Sequence, residues 1–579
     1  MNRSLMTLSR ENFMSSDPTP LSGHPCAALL SGILASPTLI TSAGFDALHE
    51  KEFNLFLAGV PHLFRDGRLL LDLFEALEQA PPGRNREEED NARRAVNVLG
   101  TVVRTAAITA PTDLWLLRLV LDTLRRLPVL EELQGRTSLD ALVRGTGLDR
   151  DRLKTDLDLL ASRGILQGEV RGDRSISLAP GPHITALCRS LSPWPAGAPV
   201  NMVPPLVSWL QSGAEKDLAE SFLRMDEHAV ASPCWIPGRY EVEAGSRLVP
   251  LVLSMKSCGL LDDARRGGAF AFTPGTDGPV SRLLGLCGLL DEEGRITALG
   301  ERVFQRGPGP FGIIHAYHPY LTHHTELLQG KGQVHVSRGE NVAASRDANT
   351  RSFRKAMDSL DRYCADTGFQ YEVFIEHAVG QAEATRIRYE RSGDDLHYFG
   401  ADLEDAAIDR ALEVQSRGLL PGHMRFVRQA DIGDPQILIR ALADAGLQGK
   451  NAVMVVGNGF HEVRGQNNEN MVRVFRAYRE AGILLIFTEE SSLTDAELLA
   501  TGWNTYHAGF RYVHELSGQG LRPAGDGPDD RGRLSWKACV EKAGYKVAAG
   551  YTTQGRTIFP FRHKGRKNPA ISVNYFCVP

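Results

Sequence analysis

From residue 370 onward, short apolar runs alternate with segments of helical period, and no other feature of the chain restricts its fold as much. The strand candidates are YEVFIE (371–376), LHYFGA (396–401), MRFVR (424–428), AVMVV (452–456) and ILLIF (483–487). Helical patterns at 404–416, 435–446 and 469–481 fall between them. Runs such as AVMVV and ILLIF carry no polar alternation, which predicts strands covered on both faces. Strands that alternate with helices at this spacing predict a parallel, doubly wound α/β sheet. The end breaks the rhythm. GYKVAAGYTT (544–553) and ISVNYFC (571–577) are two strand candidates with no full helix between them, which predicts an antiparallel finish.

A chain of 579 residues is too long for one core. The expected units are a mostly helical region (1–110), a winged-helix-like module (111–235) and a second winged-helix-like or helical module (236–310). A helical connection with a lid (311–369) and the sheet domain (370–579) follow. In the first module Leu114–Leu127 has helical spacing, Leu139, Leu142 and Val143 open another helix, and Leu153, Leu157, Leu159 and Leu160 form the face of a third. Gly147 marks the turn between them, and Gly164 stops the last helix before a β-wing closed by RSISL. SRLLGLCGLLDEEGRITALGERVF, within 246–306, repeats the theme. PPGRNREEEDNARR (81–94) reads as a charged, solvated connection, and SRGENVAASRDAN (337–349), with Arg338, Glu340 and Asn341, as a candidate lid.

Winged helices often read DNA, yet this recognition helix carries Asp149, Asp151, Asp156 and Asp158 against Arg150, Arg152 and Lys154. That balance suits packing or homodimer formation better than phosphate contact. A formal net charge of −5 gives no electrostatic reason to expect a nucleic-acid partner. The eight cysteines are scattered without a CxxC pair, which argues against zinc knuckles and a disulfide framework. With no apolar run near the length of a span and no signal-peptide order at the start, no membrane association and a cytoplasmic location are expected.

The strand plan, five parallel strands and a terminal pair, resembles class I S-adenosylmethionine-dependent methyltransferases from about residue 310 to the end. The resemblance implies a Rossmann-like sheet with an antiparallel last strand and S-adenosylmethionine as cofactor. On that basis EHAVGQAEATR (376–386) supplies Glu376 and Gly380 to the methionine end of the cofactor, with Ala378 and Ala382 where glycines are common. Asp402, ending the second strand, would accept the ribose hydroxyls. Asp431 would receive the adenine amino group with Ile432 beside the ring, and Asn458 closes the site after the fourth strand. Each acid alone could equally cap a helix. A nicotinamide Rossmann domain is disfavoured, because G-x-G-x-x-G is missing after the first strand.

GNGFHEVRGQ (457–466) follows the fourth strand. His461 there can serve as a general base, ligate a metal together with Gln466, or simply bond within the loop. Glu489, Glu490, His507, His514, Gln519 and Arg522 lie in segments expected beside the same cleft, with Glu489, His507 and His514 as further catalytic candidates and Glu489 and Glu490 alternatively as helix caps. Taken together, these strings are similar to the mononuclear metal-dependent methyltransferases that initiate apratoxin- and saxitoxin-type polyketide assembly. That resemblance implies iron or manganese held by His461 and Gln466, and C-methylation of a malonyl-like 1,3-dicarbonyl unit in secondary metabolism. The sequence shows no carrier domain after the last strand, so the expected acceptor is a small acid or an acyl unit on a carrier protein supplied in trans. A metal-free O- or N-methyltransferase with a winged-helix dimerisation module is the alternative, and a cofactor-sensing DNA-binding regulator a second one.

Overall fold

The computed structural model describes residues 27–42, 45–60, 63–226, 230, 235–332, 334, 346–463, 465–501, 507–557, 561–562 and 570–579. The C-terminal sheet contains β1 (Val373–His377), β2 (His397–Ala401), β3 (Arg425–Val427), β4 (Ala452–Gly457), β5 (Leu484–Ser492), β6 (Lys546–Val547) and β7 (Ala570–Val578). Their spatial order is β3-β2-β1-β4-β5-β7-β6. All neighbours run parallel except β7, which is antiparallel to both β5 and β6. This is the α/β plan of the class I methyltransferase fold that the sequence pattern implied. The order reverses between β1 and β4, and the crevice at that switch point lies beyond their carboxyl ends.

Strand residues divide strictly by parity. Val373, Ile375, Met454, Val456, Leu485 and Phe487 enter one core, with Met471, Val474, Phe475 and Tyr478 from helix Asn468–Glu480 and Trp536 from helix Trp536–Lys542. Phe374, Val453, Val455, Leu484 and Ile486 enter the other, under helices Arg346–Thr367, Glu383–Ser392 and Asp405–Ser416. Two covered faces explain the unbroken apolar runs. Helix Arg346–Thr367 contributes Phe353, Ala356, Met357 and Leu360 to this second core, so the sheet domain begins there and not at 370. Arg338, Glu340 and Asn341 of the expected lid lie outside the described residues.

The amino-terminal part is helical, and one expectation there fails. Residues 86–94 are not a connection but the first turns of a helix of 41 residues, Arg86–Arg126. Asn85 caps it by accepting the Glu88 N–H, and Glu87, Glu88 and Glu89 sit at its positive end, so the acids stabilise a helix start. The boundary at 110 therefore falls inside a continuous, largely buried helix, which packs against helix Arg239–Ser257. The boundary at 310 likewise falls inside helix Pro308–His315.

Two helices and a small three-stranded sheet occupy residues 137–178 of the expected winged-helix module. Helix Leu139–Thr146 ends on Gly147 at φ +69°, helix Arg150–Ser162 follows, and strands Thr137–Ser138, Ser175–Leu178 and Leu166–Gly168 make the wing in that spatial order. Its recognition helix is not presented outward. Lys154, Thr155 and Asp156 are buried where that helix packs on helix His507–Leu516 of the sheet domain. Two of the acids of 149–158 thus have buried intramolecular partners: Asp156 accepts from Tyr512, and Asp158 pairs with Lys154. The later repeat keeps two helices, Asp277–Leu286 and Ala298–Arg306, but only an isolated Leu290–Ile296 bridge in place of a wing. Among the described residues no helix is long and apolar enough to cross a membrane.

Candidate active site

Four loops converge at the switch point. The loop after β1 holds Gly380 at φ +51°, and its N–H donates to Asp402 Oδ2 at the end of β2 (3.3 Å). The other carboxylate oxygen accepts from the Glu404 N–H (3.0 Å). Burial raises the Asp402 pKa above the usual carboxylate value against these two bonds. Beyond β3, Asp431 Oδ1 accepts the Gly433 N–H at 2.7 Å, and buried Ile432 follows, its carbonyl held by Tyr478 Oη (3.2 Å). Beyond β4, Asn458 sits at φ +55°, its N–H on Thr488 O of β5. Gly459 comes next. A Cβ there would lie 2.7 Å from Val456 Cγ1, 3.1 Å from Ala378 Cβ and 3.4 Å from Ile432 Cδ1, so the β1, β3 and β4 loops meet at this glycine. Gly380, Asp402, Asp431, Ile432 and Asn458 therefore all follow the carboxyl ends of β1 to β4 at the switch point.

Glu376 is placed differently. Its carboxylate is buried and turned onto the start of helix Glu383–Ser392, where it accepts from the Ala384 N–H (3.1 Å), the Thr385 N–H (2.7 Å) and Thr385 Oγ1 (2.6 Å). It secures the loop rather than facing the crevice. Ala378 and Ala382, the two departures from a glycine loop, adopt φ +57° and +56°. The left-handed backbone that glycine would favour is thus kept with alanine, and the surrounding loop holds it there.

The chemistry-bearing residues lie on the β4 and β5 side. The chain leaves β4 in a single 3₁₀ turn, Phe460–Glu462, which projects His461 toward β5. Glu489, fully buried on β5, receives three donors from that turn: the Phe460 N–H (2.6 Å), the His461 N–H (3.2 Å) and His461 Nδ1 (2.9 Å). Glu489 is consequently not a helix cap. The cap before helix Asp495–Ala500 is Thr494, in a reciprocal box with Glu497. In a neutral imidazole, a carboxylate that takes the Nδ1 proton leaves Nε2 as the lone-pair nitrogen. That Nε2 lies 3.3 Å from Glu462 Oε1. The His514 ring stands edge-on to His461 at 5.1 Å, with its own Nδ1 on Phe510 O (2.7 Å). His507 is elsewhere on that helix. It bonds Ser491 O through Nε2 (2.9 Å), stacks on Phe510 and has Glu490 3.7 Å from Nδ1, so its role is to tie the helix to β5.

Gln466 folds back onto the same turn, its Nε2 donating to Phe460 O at 2.6 Å. This contact fixes the amide orientation and leaves Oε1 buried without a hydrogen-bond partner. Arg522 locks that return. Its Nη2 donates to the Gln466 and Asn467 carbonyls (3.0 and 3.2 Å), its Nη1 to Asn468 Oδ1 (2.9 Å), and the guanidinium lies over Trp536.

Among the described residues no three His, Cys, Asp or Glu side chains group to hold a metal ion. The loop after β4 pairs a histidine with an amide instead. A histidine whose far nitrogen is held by a carboxylate is the form metal-ligating histidines take, and Gln466, folded back onto that turn, adds a buried amide oxygen without a hydrogen-bond partner. One imidazole nitrogen and one amide oxygen fit an iron or manganese ion.

The sequence did not point to Tyr317. It reaches the site from the helical part, its hydroxyl donating to Gln519 Oε1 (3.1 Å) while Gln519 Nε2 donates to Glu462 Oε2 (2.7 Å). The available signal was HAYHPY (315–320), too rich in rings for a simple connection.

No protein-family model and no curated protein matches the sequence. Solved structures do resemble it. An O-methyltransferase family 2 protein from Planctomyces limnophilus in complex with apigenin is 12% identical over 82% of this chain and 96% of its own, with a TM-score of 0.33. The CurJ carbon methyltransferase is 12% identical over 84% of this chain and 96% of its own, at 0.32. Human N-acetylserotonin methyltransferase in complex with S-adenosylmethionine is 11% identical over 80% of this chain and 94% of its own, at 0.24. Likeness at that level assigns no residue.

Proposed function

We propose that this chain is an S-adenosylmethionine-dependent methyltransferase that carries out metal-assisted C-methylation of a malonyl-like 1,3-dicarbonyl acyl unit, free or presented on a carrier protein. The observation that carries the cofactor half is the junction of Gly380 with Asp402 across the β1–β2 edge, beside the crevice where the β1, β3 and β4 loops meet at Gly459. Asp402 accepts the ribose hydroxyls, Asp431 the adenine amino group, and Ile432 packs on the ring. The open backbone at Gly380 admits the methionine end.

His461 and Gln466 would hold the metal. When bound, such an ion supplies Lewis-acid stabilisation of the enolate of a chelated 1,3-dicarbonyl. The residues do the positioning. Glu489 fixes the His461 tautomer, Arg522 holds the Gln466 loop closed, and His514 walls the turn from the far side. The Glu489–His461 pair also favours the second reading, a metal-free transferase in which His461 takes a proton from a hydroxyl or amine through Nε2.

Two measurements separate these readings. Calorimetric titration with S-adenosylhomocysteine is expected to show binding to the wild type and at least about tenfold weaker binding to Asp402→Ala, since two charge-assisted bonds are lost. Unchanged affinity in the variant would sink the cofactor assignment. Elemental analysis of untagged protein should then find near-stoichiometric iron or manganese, lost in His461→Ala and Gln466→Ala. A metal-free protein that binds the cofactor would select the second reading.

A further inference from the structure

The chain carries a formal net charge of −5, yet one face of its sheet domain is positive. Helices Asn468–Glu480 and Trp536–Lys542 pack together there, and an open groove of about 470 Å³ lies between them. Half-buried Val472 and Leu534, packed on the core beneath, give the groove an apolar centre. Exposed Arg473, Arg476 and Lys542 surround it, with Glu469 as the opposing acid. These cations are not neutralised within the chain. Exposed Arg295, Arg391 and Arg428 each meet a carboxylate, whereas Arg473 donates to the neutral Asn470 Oδ1 (2.8 Å) and Gly433 O (3.1 Å). Arg476 and Lys542 have no ion-pair partner among the described residues, and neighbouring Glu541 is taken by Lys537 (3.8 Å). An apolar centre within an uncompensated basic rim is the make-up of a docking surface for an acidic protein.

The groove also begins at the candidate site. Asn468 Oδ1, at its upper end, accepts from the Leu534 N–H and from Arg522 Nη1 (both 2.9 Å). The same Arg522 donates to the carbonyl of Gln466 (3.0 Å). On the other side, the bond from Arg473 to Gly433 O reaches the loop that carries Asp431 and Ile432. From Asn468 to Arg476 the helix rises only about 12 Å, less than the length of an extended pantetheine arm. We propose that an acidic acyl carrier protein docks in this groove on Arg473, Arg476 and Lys542 and delivers its malonyl-like unit past Asn468. The inference rests on the methyl-transfer reading above and narrows its acceptor to the carrier-bound form.

The test gives the full chain S-adenosylmethionine and either of two malonyl thioesters. One is the malonylated acyl carrier protein of a bacterial fatty-acid synthase; the other is malonyl-N-acetylcysteamine, which has the thioester but no protein. The wild type is expected to favour the carrier-bound substrate at least about tenfold in kcat/KM, an advantage that shrinks as salt is raised. Arg476→Glu combined with Lys542→Glu should lose about tenfold on the carrier, through KM, with turnover of the small thioester and S-adenosylhomocysteine binding unchanged. Carrier turnover that survives the double reversal, falls equally on both substrates, or is no better than that of the small thioester overturns the proposal and leaves the methyl-transfer reading standing. If neither substrate is methylated, both fall. Should the double variant fail to fold, as judged by lost S-adenosylhomocysteine binding, Arg476→Ala decides by the same comparison. A wild-type dimer that the double reversal disperses would give the groove to a second copy of the chain and overturn the carrier assignment.

Discussion

The arrangement around Glu489 makes Glu489→Gln the most diagnostic single substitution. Three donors converge on this carboxylate in a site without solvent access: two backbone N–H groups on Oε1 and the His461 ring N–H on Oε2. Glutamine keeps an oxygen for the two backbone donors but opposes Nδ1 with an NH₂ group. His461 must then either lose the bond or exchange tautomers, placing its proton on Nε2, where it faces Glu462. Losing one charge-assisted hydrogen bond at a buried site costs about 1.5–3 kcal/mol, so a loss of about 2 kcal/mol in folding stability is expected. The functional loss should be larger, because the tautomer exchange disables Nε2 as ligand or base alike. Disturbing such a partner reduces metal affinity by about 10–100-fold. The assay pairs urea unfolding with a manganese titration and with S-adenosylhomocysteine binding, which should change less because Gly380 and Asp402 bond each other and not Glu489. If Glu489→Gln retains wild-type metal affinity and methyl transfer, the tautomer argument is wrong.

Two further outcomes follow from the packing. His315 lies buried against the Trp115 ring (centroids 5.1 Å apart) with Nε2 lacking a partner, and burial, with His318 adding to it, pushes its pKa down to about 3. A folded pKa below the unfolded value of about 6.5 means that this stability is complete above pH 6.5 and is lost as pH falls toward 3, amounting to about 2 kcal/mol by pH 5. His315→Phe should therefore lose about 2 kcal/mol less than the wild type between pH 7.5 and pH 5 in chemical denaturation, and equal slopes would contradict the burial argument. Gly459→Ala puts a methyl 2.7 Å from Val456 Cγ1 and 3.1 Å from Ala378 Cβ, so it should destabilise by about 1–3 kcal/mol and weaken S-adenosylhomocysteine binding by prising the loops apart, whereas unchanged binding would place the crevice elsewhere.

The sheet was legible because its strands are covered on both faces, which leaves unbroken apolar runs that sequence period detects directly. β5 shows where this stops. Its apolar part ends at Phe487, but pairing with β7 and with Arg522–Pro523 carries the strand to Ser492 through polar residues. That extension is what puts Glu489 under the His461 turn. Residues 86–94 misled for the opposite reason: a run of acids and arginines looks solvated, and only the helix dipole and the Asn85 cap make it a helix start. Asp402 and Asp431 follow β2 and β3, where the strand pattern put them. Glu376 was readable as a loop residue but not in its actual task, since accepting three donors from a helix start is a matter of side-chain direction. Tyr317 was hidden because its partner Gln519 is 202 residues away, beyond any local pattern.

The same distance shows why the helical part is no detachable adaptor. Helix His507–Leu516, which sets His514 against His461, is gripped from that side along its length. Asp113, fully buried in helix Arg86–Arg126, accepts the Gly509 N–H at 2.8 Å and pairs with Arg163 at 2.9 Å. A Cβ on Gly509 would stand 2.5 Å from Asp113 Oδ1, so only glycine allows that approach. One turn on, Arg511 donates to the Asp158 carbonyl (3.3 Å), and Tyr512 Oη bonds Asp156 Oδ1 (2.9 Å), which also meets His324 Nε2 (3.0 Å). The Asp156 and Asp158 contacts remove polar groups of the winged-helix recognition face from water and tie them to the wall of the site. Acids on that face would weaken a phosphate reader, but here they are the acceptors that hold a helix at a fixed angle. The acids that argued against phosphate contact in the sequence thus include one, Asp156, that fixes the helix carrying His514.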